Sequence, residues 1–118
     1  MDTENLTEVE LNLLEVFTKL LKETGYLNTS IKVCPERNKD GSFKKVDSAL
    51  HICKQDDSWL TFIYERGAID ECYKYNDMFS ACLKVFSMIE TKDRDYCLDV
   101  FPPLAYEIMK PKTKCKKL

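Results

Sequence analysis

Leu50-His51-Ile52-Cys53-Lys54-Gln55-Asp56-Asp57-Ser58-Trp59-Leu60-Thr61-Phe62-Ile63-Tyr64-Glu65-Arg66-Gly67 holds the most hydrophobic run of the chain and its single tryptophan. Two runs rich in β-branched and aromatic residues flank a polar break at Gln55 to Ser58, which is the sequence form of a β-hairpin. In the second run Leu60, Phe62 and Tyr64 alternate with Trp59, Thr61 and Ile63, so each set faces one side of a strand. Both sets are largely apolar. The strand is therefore either covered on both sides or keeps one face open for a partner, including a second copy of the chain. The run closes on Glu65-Arg66-Gly67, where the glycine lets the backbone turn with positive φ. A strand that continues to this point sends Glu65 and Arg66 to opposite sides, and the one on the covered side needs a salt bridge or a carbonyl to pair with.

Upstream of the hairpin, Thr7 and Glu10 have the spacing of a capping box, in which each side chain satisfies the other's free backbone N–H. Val9, Leu13, Val16, Phe17 and Leu20 follow at helical spacing, widened by Leu14 and Leu21. Lys19 and Lys22 suit the C-terminal end of the helix dipole, and Thr24-Gly25 supplies the stop. Ile31 and Val33 alternate with polar neighbours as far as Pro35, which reads as a short edge strand. Asn38 to Ser42 is a turn signal.

Downstream, residues 67–70 read as another reversal, and Cys72, Tyr73 and Tyr75 as a fourth strand. Asn76 reads as the N-cap of a second helix. In that helix Phe79, Cys82, Leu83, Phe86 and Ile89 join Met78, Ala81 and Val85 on a face wide enough to be deeply buried on the sheet. A third helix over 93–100 is expected to break at Pro102-Pro103, with a short one over 104–109 after it. The expected architecture is α+β: an N-terminal helix, a three- to four-stranded antiparallel meander, then two or three helices on one face of the sheet. Residues 1–110 read as a single domain, and 111–118 as a lysine-rich, mobile tail.

At 118 residues the chain has room for one domain. With 44% hydrophobic and 32% charged residues it has an ordinary globular composition. The net charge of -2 hides an acidic N-terminal segment and a basic end from Lys110 onward. No aromatic residue interleaves those terminal lysines, so nucleic-acid binding is not expected there. No apolar run reaches the length of a membrane span. The six cysteines are widely spread, with no Cys-x-x-Cys pair, and the N-terminus lacks the pattern of a secretory signal. They read as reduced thiols of a cytoplasmic protein, several of them serving as core residues.

The residues offer little chemistry. No glycine-rich cradle exists, no catalytic residue or cofactor is assigned, and the single histidine cannot complete a cysteine–histidine metal site. His51 with a cysteine is the one pairing that would give a small ligand-binding domain or a cofactor-free enzyme. A different signal lies between Asp56 and Asp77. There Asp56, Asp57, Glu65, Asp70, Glu71 and Asp77 outnumber Arg66 and Lys74, and Trp59, Tyr64, Tyr73 and Tyr75 lie among them. Aromatic anchors rimmed by carboxylates suit a protein surface that captures a basic partner.

Trp59, Glu65, Arg66, Gly67, Tyr75 and Phe79 also carry a resemblance. An apolar strand with tryptophan running into Glu-Arg-Gly, then a tyrosine-bearing segment and a helix, is similar to small α+β immunity proteins of bacterial polymorphic-toxin and contact-dependent inhibition systems. It covers about Leu50 to Phe86. The resemblance implies a non-enzymatic cytoplasmic antidote that binds one cognate toxin domain and occludes it. The partner-binding residues expected on both grounds are Asp56, Asp57, Trp59, Glu65, Arg66, Asp70, Glu71, Tyr73 and Tyr75.

Overall fold

The computed structural model of the chain describes residues 1–110, and the expected lysine-rich tail lies outside them. Helix α1 (Glu8–Glu23) starts at the capping box. Thr7 Oγ1 accepts from the Glu10 N–H at 3.1 Å, and Glu10 Oε1 accepts from the Thr7 N–H at 2.8 Å. Leu13, Leu14, Phe17, Leu20 and Leu21 form its buried face, whereas Val9 stays exposed one turn before that face begins. The helix ends at Thr24, followed by Gly25 at φ 85°.

Four strands follow in spatial order β1-β2-β3-β4: β1 (Ile31–Val33), β2 (Ala49–Gln55), β3 (Ser58–Glu65) and β4 (Ala68–Tyr75). The sheet is mixed rather than an antiparallel meander, because β1 runs parallel to β2, with Ile31 beside Leu50 and Val33 beside Ile52. Residues 34–48 supply the return path, and they reach the length of about a dozen residues that a parallel crossover needs.

That crossover settles the two-faced character of β3. On the side away from the helices Ala49, His51, Cys53 and Phe62 are all buried, and the crossover is tied down over them. The Val46 N–H donates to His51, Lys45 Nζ lies 5.7 Å from the centre of the Tyr64 ring, and Arg37 donates to the Lys54 carbonyl at 3.1 Å. The centre of this face is therefore occupied by the chain's own crossover and is not open to a second copy.

Strands β2 and β3 are joined through Asp56-Asp57, as expected. The β3–β4 turn is confined to Arg66 and Gly67, at φ 53° and 79°, the doubly positive pair of a tight type I′ hairpin. Strand β4 consequently starts at Ala68, four residues before the expected strand. It carries a bulge where Glu71 and Cys72 oppose Phe62, with Glu71 at φ 46°.

Helix α2 (Met78–Ser87) is capped by Asp77, whose Oδ1 accepts from the Ser80 N–H at 2.7 Å. The expected cap at Asn76 falls one residue short, because β4 pairing persists through Tyr75. Helix α3 (Thr91–Met109) passes through Pro102 and Pro103 without the expected break. Cys97, Phe101 and Ala105 lie on one buried face spanning the prolines, so tertiary packing holds both halves in register. The two carbonyls that lose their donors belong to Leu98 and Asp99, and Asp99 faces water. Helix α2 packs on β2, β3 and β4, and α3 packs against α1 and α2. Phe17, Phe86 and Phe101 meet edge-on at centroid distances of 5.1, 5.2 and 6.2 Å, which joins the three helices. Among the described residues no helix is long and apolar enough to cross a membrane.

Candidate interaction surface

The side chains expected at the surface divide sharply once the strands are placed. Trp59 leaves the set. Its ring is fully buried on the helix side of β3, and its Nε1–H donates to Glu10 Oε2 at 2.7 Å. Glu10 Oε1 also accepts from Lys54 Nζ at 2.8 Å. Burial alone would push the Glu10 carboxyl up, but the hydrogen bonds from Lys54, Thr7 and Trp59 outweigh it and hold the pKa below the ordinary value. Trp59 is thus part of a polar node pinning α1 to the sheet.

Asp56 and Asp57 are exposed at one end of the sheet. Arg37, Lys54 and Asn5 line the same shallow hollow, so this tip is of mixed charge rather than acidic. Glu65 and Arg66 sit at the other end of the eight-residue strand β3, about 24 Å away at strand rise. The expected binding residues therefore fall at two opposite ends of the sheet.

The larger group clusters at the second end and along β4. Arg66 is exposed, and its backbone N–H donates to Asp47 Oδ1 at 2.7 Å. This contact, rather than a salt bridge from Glu65 or Arg66, secures the turn. Asp70, Glu71 and Tyr73 are exposed on β4. Asp70 Oδ1 accepts from the Glu71 N–H at 2.9 Å, and Lys84 Nζ lies 4.4 Å from the centre of the Tyr73 ring. Tyr75 is half-buried against the core. Every residue of β4 before Tyr75 is exposed, and β4 ends the sheet, so its outer backbone groups face solvent.

His51 serves a different purpose. Its Nε2 accepts from the Val46 N–H at 3.0 Å, which places the ring proton on Nδ1, 3.0 Å from the Ala49 carbonyl that receives it. The ring stacks on Phe62 at 4.8 Å. Burial pushes its pKa down, and nearby Lys32 and Lys45 push the same way. Both nitrogens are committed to backbone, so His51 pins the crossover and has no free nitrogen with which to activate a cysteine. Burial also drives the thiols away from reactivity: Cys34 and Cys53 are pushed up to about 12 and Cys97 to about 11. Cys72 alone is exposed among the five cysteines described. No group of three His, Cys, Asp or Glu side chains that could hold a metal occurs among the described residues.

One feature of this end of the molecule has no signal in the linear sequence. Glu65 rims a hollow of about 280 Å³ together with Glu90, the residue before α3. Tyr26, also in its lining, donates its hydroxyl proton to Asp93 Oδ2 at 3.0 Å. Burial raises the pKa of this phenol, and the neighbouring Asp93 adds to the effect. Glu65 and Glu90 are far apart in the chain and come together only through the topology.

Comparison with family models, with curated proteins and with solved structures finds no match.

Proposed function

We propose that this chain is a binding protein of the immunity type, which captures a cognate toxin domain in the cytoplasm and neutralises it by occlusion, without catalysis of its own. The observation that supports this reading is the edge of β4: a strand exposed at every residue before Tyr75, carrying Asp70, Glu71 and Tyr73 and continuous with Glu65 and Arg66 at its turn. Carboxylates around an aromatic side chain on a rigid sheet edge give steering and anchoring together. The charges and the bulge at Glu71 also discourage unspecific strand pairing, which leaves the surface selective.

The test is co-expression with the protein encoded immediately upstream. Relief of that protein's toxicity and isolation of a stable complex are expected, with amide-exchange protection over residues 65–74. Absence of both rescue and complex would sink the reading.

A further inference from the structure

Helix α2 is too short to roof the sheet. Its ten residues span about 15 Å, whereas β3 runs about 24 Å from Ser58 to Glu65. The uncovered remainder is the hollow beside Glu65, where the chain turns through Met88, Ile89 and Glu90 toward α3. Its floor is apolar, made by Ile31, Leu50, Ile63, Met88 and Ile89. Glu65 and Glu90, both exposed, stand at its edge, and its lining contains no lysine, arginine or histidine.

Neither carboxylate is spent on the fold. Glu90 occupies the N-cap position of α3 but makes no side-chain capping bond. Among the described residues neither Glu65 nor Glu90 enters an ion pair. Asp93 adds a third carboxylate next to the hollow, reached through Tyr26. At about 280 Å³ the hollow lies at the bottom of the range of clefts, roughly 300–1,000 Å³, that hold small ligands. It suits one long side chain.

We propose that this hollow is the receptor for a basic side chain, best an arginine, projecting from the partner protein. The apolar stem would lie on Ile63 and Ile89, and the cationic head would reach the carboxylates of Glu65 and Glu90. Arginine fits better than lysine because its planar head is weakly hydrated and offers several donors to two acceptors at once. The proposal rests on the binding reading above and names the chemistry of the partner at one point of the surface. Glu65 reaches the rim as the last residue of β3, just before the turn that Gly67 and Asp47 fix.

The first experiment needs no partner. The full chain, labelled for amide NMR, is titrated with N-acetyl-arginine amide, and N-acetyl-norleucine amide serves as the uncharged control. Saturable shifts at Ile63, Glu65, Ile89 and Glu90 are expected with arginine, reduced in the Glu65→Gln/Glu90→Gln double variant. Both positions are exposed and the substitutions keep shape, so the variant should fold, as its remaining spectrum will report. Unlocalised shifts, or identical shifts in the variant, would overturn the proposal. The second experiment uses the co-expressed toxin domain. The double variant should dissociate about tenfold faster or more, as loss of a buried charge partner does, while Asp70→Asn/Glu71→Gln should slow association. Unchanged dissociation of the double variant would refute the pocket and leave the binding reading standing. Arginine binding without any toxin complex would do the reverse.

Discussion

Replacing Glu10 with alanine removes the one side chain that joins the α1 cap to the sheet. The Trp59 indole N–H, in a ring with no exposure, would lose its 2.7 Å acceptor, at a cost of about 1–3 kcal/mol for an orphaned buried donor. Lys54, with only 12% of its side chain exposed, would lose its ion-pair partner and must bend toward water to recover solvation. The reciprocal bond of the capping box goes as well. Together these losses amount to about 3 kcal/mol, a large share of the roughly 5–15 kcal/mol of a typical domain. Glu10→Gln keeps an acceptor oxygen and should cost about half as much, near ~1–2 kcal/mol. Urea unfolding followed by the fluorescence of the single tryptophan reports directly on this node. Acidity adds a second readout. The folded Glu10 pKa lies below its ordinary value, so its contribution is fully present above the unfolded pKa of about 4.3 and fades as pH falls through the folded value. The difference between wild type and Glu10→Gln should therefore narrow on acidification below about pH 5. A Glu10→Ala variant within about 0.5 kcal/mol of wild type, the range of ordinary surface changes, would refute this account of the node.

His51→Ala should destabilise the fold by about 2–4 kcal/mol, by opening a cavity beside Phe62 and stranding the Val46 N–H. In the wild type the depressed His51 pKa means stability held above about pH 6.5 is lost as pH falls toward the folded value. NMR of the imidazole carbon protons should show a titration midpoint below 6.5, and a midpoint at or above the free value would contradict the buried pin. Brief alkylation of the native chain followed by peptide mass mapping should modify Cys72 and spare Cys34, Cys53, Cys82 and Cys97. Rapid labelling of any of those four would show that the core opens. Pro103→Ala should raise stability by about 1–2 kcal/mol, the regained helix hydrogen bond outweighing the extra freedom of the unfolded chain. A lower melting temperature would mean that the proline supplies something the helix needs.

The elements that depend on local chemistry were legible in the sequence. The Thr7–Glu10 cap, the Asp56-Asp57 hairpin and the turn at Gly67 each follow from residues close together in the chain. The direction of β1 was not legible, because alternation at Ile31 and Val33 is the same whichever way a strand runs. The continuity of α3 was hidden because its warrant is the burial of Cys97, Phe101 and Ala105 by distant helices, which overrides a local helix breaker. Trp59 entered the surface set through its neighbours in sequence, yet alternation sets it on the same face as Thr61 and Ile63, under the helices. Arg37 and Lys54 line the hollow beside the Asp56-Asp57 tip, from positions that a charge count over 56–77 does not include. The Glu65–Glu90 rim was invisible for a related reason: it pairs the end of a strand with the start of a helix across an intervening strand and helix.

The three phenylalanines that join the helices also make the cover of α1 depend on distant sequence. Phe17 belongs to α1, and its partners Phe86 and Phe101 belong to α2 and α3, beyond the whole sheet in sequence. The sixteen residues of α1 lie just above the length, about 12–15 residues, below which an isolated helix is marginal in water, and without those partners its apolar face has no cover. Glu8, Glu15 and Glu23 are exposed on α1, and surface charge of this kind opposes the association of partly folded chains.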